Sequence, residues 1–210
     1  MTDPAGPQVE LLLVAHGQRR QAAANCRLAA PAARIAAQWP HILVEAAVLN
    51  GEPSLEQALT LAAGRKLRHL LVYPFFMSAG YIVKRMLHRH LADSAPTKIA
   101  VMRPLGHQPG LPSLLLKESL RTADAAGFVP PQTRLLVVGH GSRLAREPPA
   151  STARIADSVR NSGIFAAVKP AFLEEQPLLR SELKNAGLPT VVAGFFSGEG
   201  VPLGGMCRQQ

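Results

Sequence analysis

The chain has 210 residues, 47% hydrophobic, 18% charged and 5% aromatic, which fits one large domain or two small ones and excludes a disordered chain. Its formal net charge of +9 suits an anionic partner, but the basic residues are scattered with little aromatic interleaving, so a solvated basic surface is expected and nucleic-acid binding is not. No apolar run approaches the ~18–20 residues of a membrane span, and the N-terminus lacks a secretory pattern. Cys26 and Cys207 form neither a disulfide framework nor a zinc spacing, so a soluble cytoplasmic protein is expected.

Val9–Ala15 is a continuous apolar run ending in His-Gly, the pattern of a buried parallel strand. A helix follows over Ala32–Gln38, with Pro31 at its start, and then a strand over Ile42–Val48. Ser54 is the expected N-cap of a helix reaching Ala63, with Gln57 completing the capping box and Gly64 as C-cap. His69–Pro74 reads as a third strand, Tyr81–Ala92 as a helix, Lys98–Arg103 as a fourth strand and Leu114–Ala126 as a closing helix, with Pro130-Pro131 as linker. From Leu135 the order recurs: strand, helix near Thr152–Arg160, strand Ala166–Leu173, helix near Leu178–Ala186 and strand Thr190–Gly194. Alternation of this kind predicts an α/β fold of two lobes, each a parallel sheet with helices on both faces.

The recurrence extends to the residues themselves. Glu10–Arg19, ELLLVAHGQR, matches Arg134–Arg143, RLLVVGHGSR, at an offset of 124, and Ala47–Leu59 matches Ala171–Leu183 at the same offset. Ala33–Ala36 matches Ala153–Ala156, and Phe75-Phe76 matches Phe195-Phe196, both at 120. A duplicated unit follows, with lobes expected over residues 1–128 and 134–210. The second lobe is short: only Ser197–Gln210 follows its Phe-Phe pair. Val191–Phe196 would therefore lack a covering helix, and a second copy of the chain in a two-fold dimer is the expected cover.

Ligands of open parallel sheets bind beyond the carboxyl ends of the strands. Three features fall there in duplicate: His16-Gly17 and His140-Gly141, then Asn50 and Glu174, then the two Phe-Phe loops. One such histidine would be read as a strand cap; two at equivalent points of a repeat point to function. His41 and His69 begin strands, and His88 and His90, two apart on a helix, cannot chelate together. His107 is expected to serve loop structure. Ser142 follows His140-Gly141 but lacks the flanking pattern of a nucleophile elbow, and neither H-E-x-x-H nor a P-loop is present.

The blocks LLLVAHGQR, LLVVGHGSR, GEPSLEQAL, AFLEEQP and PFFMSAG together resemble the class II chelatases of the CbiX/SirB type, the sirohydrochlorin cobalto- and ferrochelatases, in their duplicated long form. The resemblance implies two chelatase-like lobes facing each other across a cleft. It implies insertion of a divalent metal, Co²⁺ or Fe²⁺, into sirohydrochlorin or a related polycarboxylate tetrapyrrole on the route to cobalamin or sirohaem, with no organic cofactor. Carried onto this chain, it gives His16 and His140 as metal and proton-transfer histidines, Glu174 as their acid, and Arg19 and Arg143 as partners of the substrate carboxylates. Imidazole and carboxylate suit these borderline metals, and an arginine fork suits carboxylates.

The chain also departs from the family pattern. Asn50 stands where the first lobe should carry its acid, unless a one-residue deletion shifts the match. The family's second histidine, two residues beyond the glycine of the Phe-Phe loop, is replaced by Ile82 in the first lobe and Pro202 in the second. Either a composite site uses His16, His140 and Glu174, or the chain keeps the fold as a non-catalytic binder of metal or tetrapyrrole.

Overall fold

The computed structural model describes residues 9–17, 28–65, 67–80, 98–141, 147–184 and 187–197. They form two compact units, 1–105 and 106–210.

In the first unit, strands β1 (Val9–Ala15), β2 (Leu43–Val48), β3 (His69–Pro74) and β4 (Lys98–Val101) form a parallel sheet in the order β2-β1-β3-β4. Helix α1 (Ala29–Gln38) begins earlier than expected and holds Pro31 in its first turn, where a missing N–H costs no helical hydrogen bond. Leu13 and Val44 turn to the α1 side. Leu12, Val14 and Val72 turn to the other side and pack with Leu55, Leu59 and Ala62 of helix α2 (Leu55–Gly64). Strand β1 is apolar apart from Glu10 because it is central and covered on both faces. The Ser54 capping box forms in full, but α2 runs one residue further than the sequence suggests: Gly64 ends the helix and Arg65 is its C-cap.

The second unit repeats the arrangement with strands β5 (Arg134–Gly139), β6 (Ala167–Phe172) and β7 (Thr190–Gly194), parallel in the order β6-β5-β7. Helix α3 (Leu111–Ala125), expected to close the first lobe, packs against β7 and against helix α4 (Glu147–Arg160), within the compact unit that begins at Gly106. Helix α5 (Leu179–Lys184) lies with Leu136 and Val138 on the opposite face. The helix expected to be missing from β7 is supplied by α3. Val191, in register with Leu135, and Phe195 are buried in the single chain, with α3 packed against the strand. This cover comes from earlier in the same chain.

The helix expected over Tyr81–Ala92 lies outside the described residues, as do Arg19, Arg143, Ser142, Ile82 and Pro202. Among the described residues no helix is long and apolar enough to cross a membrane.

Candidate functional site

Each unit ends its central strand in an exposed histidine followed by a glycine of positive φ, His16-Gly17 at 73° and His140-Gly141 at 82°. Glycine is required at both points. A Cβ on Gly17 would stand 2.5 Å from the Val48 Cβ, and one on Gly141 would stand 3.0 Å from the Glu175 Cγ, besides the left-handed backbone strain. The neighbouring strand fixes what lies beside each histidine. Leu49 and Asn50 donate backbone N–H groups to the Ala15 and His16 carbonyls at 3.0 and 2.9 Å. Leu173 and Glu174 donate to the Gly139 and His140 carbonyls, both at 3.2 Å. Asn50 and Glu174 are therefore structural equivalents, and no deletion intervenes.

Their side chains act differently. The Glu174 carboxylate reaches the imidazole, with Oε1 3.2 Å from His140 Nε2; both residues are more than half exposed, at 56% and 64%. The Asn50 amide turns back and donates to the His16 carbonyl oxygen at 3.3 Å. The second unit thus has an imidazole–carboxylate pair, and the first has a histidine beside an amide that serves the backbone.

The next residues sharpen the contrast. In the first unit Gly51 follows Asn50, and the loop's acid, Glu52, accepts from the Ser54 backbone N–H at 3.1 Å. In the second, neutral Gln176 does the same for Leu178 at 3.3 Å, and the acid Glu175 lies against Gly141. Glu175 was not singled out from sequence; aligning the repeat through Gly51 is the signal that exposes it. The Phe-Phe pairs are also equivalent, Phe75 and Phe195 donating to the Val14 and Val138 carbonyls at 2.7 and 2.8 Å. Phe76 and Phe195 are buried, which makes these pairs packing residues.

The structure thus brings His140 together with Glu174, leaves His16 without a carboxylate at the equivalent position, and does not describe Arg19 or Arg143. Among the described residues no group of three or more His, Cys, Asp or Glu is placed to hold a metal ion. A pair of donors remains, which can meet an exchangeable metal but does not form a closed cage. His107 proves structural: Arg154 Nη2 and Ser151 Oγ approach its Nε2 at 2.7 and 3.1 Å, tying the short 3₁₀ turn Leu105–His107 to α4.

A family model described as CbiX matches residues 10–122, more than half of the chain. Among solved structures, the CbiX described as the terminal enzyme for biosynthesis of sirohaem in denitrifying bacteria is 31% identical, over 89% of this chain and 79% of that one, with a TM-score of 0.76. SirB from Bacillus subtilis with Fe³⁺ shares the fold at 20% identity, over 96% of this chain and 81% of that one, TM-score 0.77. SirB from Bacillus subtilis subspecies spizizenii in complex with cobalt does so at 17%, over 96% and 80%, TM-score 0.72. No curated protein matches the chain. The duplicated His-Gly strand ends, the parallel sheets and the match to the family model agree, and the chain belongs to the CbiX family of class II chelatases.

Proposed function

We propose that the chain inserts a divalent metal, cobalt or iron, into sirohydrochlorin or a related tetrapyrrole, serving cobalamin or sirohaem biosynthesis in the cytoplasm. The observation that carries this reading is the 3.2 Å approach of Glu174 Oε1 to His140 Nε2 at the end of a central strand. Metallation requires the ion to shed water and the macrocycle to lose two pyrrole protons. A carboxylate that holds a proton on Nε2 leaves the Nδ1 lone pair to accept another proton or to meet the ion, and its charge balances the ion's. His140 and Glu174 take these roles, and His16 is a second imidazole for proton transfer. Arg19 and Arg143 follow the two His-Gly turns in sequence and pair with the tetrapyrrole carboxylates. The metals named for the SirB proteins are Fe³⁺ and cobalt, and the divalent ions proposed here, Co²⁺ and Fe²⁺, lie within the borderline class that imidazole and carboxylate bind.

A second reading is favoured by Asn50, whose amide serves the His16 carbonyl, and by Ile82 and Pro202 at the family's second histidine. It is a non-catalytic binder of metal or tetrapyrrole on the chelatase fold. Anaerobic incubation with sirohydrochlorin and Co²⁺ or Fe²⁺, followed by absorbance against a protein-free control, separates the two. The enzyme reading requires metallation faster than the control, slowed about 10–100-fold by His140→Ala or Glu174→Gln. Saturable binding of either ligand with no gain in rate selects the binder.

A further inference from the structure

The amino ends of the two sheets carry the same three-residue charge cluster with its signs reversed. In the first unit Glu10 on β1 and Glu45 on β2 lie on one face, because Glu45 pairs in register with Leu12, two residues beyond Glu10. Arg65 at the end of α2 reaches both, donating from Nη1 to Glu10 Oε2 at 3.0 Å and from Nη2 to Glu45 Oε1 at 2.7 Å. In the second unit Arg134 on β5 and Lys169 on β6 take the corresponding places, Lys169 pairing with Leu136. Their counter-ion is Glu182 on α5, whose Oε2 lies 3.4 Å from Arg134 Nη1 and 4.0 Å from Lys169 Nζ. Arg134 Nη2 also donates to the Glu182 carbonyl oxygen at 2.9 Å. The central members are buried, Glu10 fully and Arg134 to 7% exposure.

The two helices share their first apolar anchor, although α2 also buries Ala58 and Leu59 where α5 has Glu182 and the exposed Leu183. Leu55 of α2 and Leu179 of α5 are equivalent and both buried, against Leu12 and Val14 in one unit and Leu136 and Val138 in the other. We propose that the sign reversal is an address that directs α2 to the β1–β2 pair and α5 to the β5–β6 pair while the duplicated chain folds. Docking α5 on β1–β2 would bring Glu182 to Glu10 and Glu45, three carboxylates. Docking α2 on β5–β6 would bring Arg65 to Arg134 and Lys169, three cations. Each misplacement places a charge beside like charges at a buried site, which rejects a pairing that the shared leucine anchor would favour. A chain with two similar lobes has this hazard built in, because either helix meets a familiar apolar face.

The test compares full-length variants refolded from urea, with native monomer measured by size-exclusion chromatography. The triple variant Glu10→Arg/Glu45→Lys/Arg65→Glu keeps opposite charges together within the first unit but gives both sheets the same sign. A loss of recovered monomer is expected, with the remainder misassembled. Adding Arg134→Glu/Lys169→Glu/Glu182→Arg makes the signs differ again, and recovery is expected to return to the wild-type level. Wild-type recovery by the triple variant overturns the proposal. So does a defect that the six-fold variant does not repair, since that defect would lie in local packing.

Discussion

Glu174 and Asn50 occupy the same backbone position of the repeat, yet only Glu174 turns its side chain to the neighbouring imidazole, 3.2 Å from His140 Nε2, while Asn50 donates to the His16 carbonyl oxygen. A carboxylate has no donor for that carbonyl, whereas an amide has two, and Asn is also one methylene shorter than Glu, so the substitution redirects the side chain. The two histidines are thereby made chemically unequal although the backbone around them is shared.

Asn50→Glu should therefore install the missing pair. The backbone bonds of Leu49 and Asn50 are independent of the side chain, so the introduced carboxylate starts from the position that Glu174 holds in the second unit. Calorimetric titration with Co²⁺ should show added metal binding in the variant, and His16→Ala in that background should remove it. An unchanged isotherm would show that a carboxylate at position 50 does not pair with His16.

Glu10 gives a pH signature. Burial pushes its carboxyl above the ordinary value of 4.5; the hydrogen bond from Arg65 opposes this, and the nearby Glu45 charge adds to it. The folded state therefore holds this proton more tightly than the unfolded chain. The associated stability is fully present below pH 4.5 and is lost as pH rises through the raised folded value. Urea unfolding of wild type and Glu10→Gln across pH 4–7 should give a stability difference that moves in favour of the variant with rising pH. A difference that stays flat, or moves the other way, would contradict the burial argument.

Gly17→Ala should cost more than Gly163→Ala. Both glycines have positive φ, 73° and 67°, so both variants carry the left-handed strain of about 1 kcal/mol. Nothing lies within 4 Å of a Cβ at Gly163, whereas one at Gly17 meets Val48 and the Asn50 carbonyl oxygen. Overpacking adds about 1–3 kcal/mol at Gly17 alone. Thermal unfolding of the two variants measures the gap, and equal losses would show that the strand end yields to the added methyl.

Helix α3 offers a test of how the second unit covers its sheet. Ala123 is fully buried on it, while Leu114 is 54% exposed. Ala123→Leu should lower stability by about 1–3 kcal/mol through overpacking, and Leu114→Ala should stay within about 0.5 kcal/mol. If sedimentation then shows wild type as monomer and Ala123→Leu as a mixture of oligomers, α3 is the cover that keeps β7 from pairing with another copy.

Periodicity and repetition determined much of this protein. The apolar runs fixed β1, β3 and β7 to the residue, because a parallel strand packed against helices is built mainly of apolar residues. The recurrence of His-Gly placed both histidines at strand ends, since a strand that stops in a tight turn needs glycine there. Sequence order also paired Asn50 with Glu174, but it could not say that one side chain meets an imidazole and the other a carbonyl. That choice depends on donors and acceptors brought together from strands 34 residues apart. Nor did the order of elements reveal that α3 serves the second unit. A helix between two similar sheets has the same amphipathic pattern whichever it covers, and only tertiary packing chose β7 and α4. The reversed charge clusters were present in the aligned repeat as Glu10 against Arg134 and Glu45 against Lys169, but their counter-ions come from different helix positions. Arg65 and Glu182 could be matched to their partners only when each helix had docked, because an ion pair is set by distance in space and not by spacing along the chain.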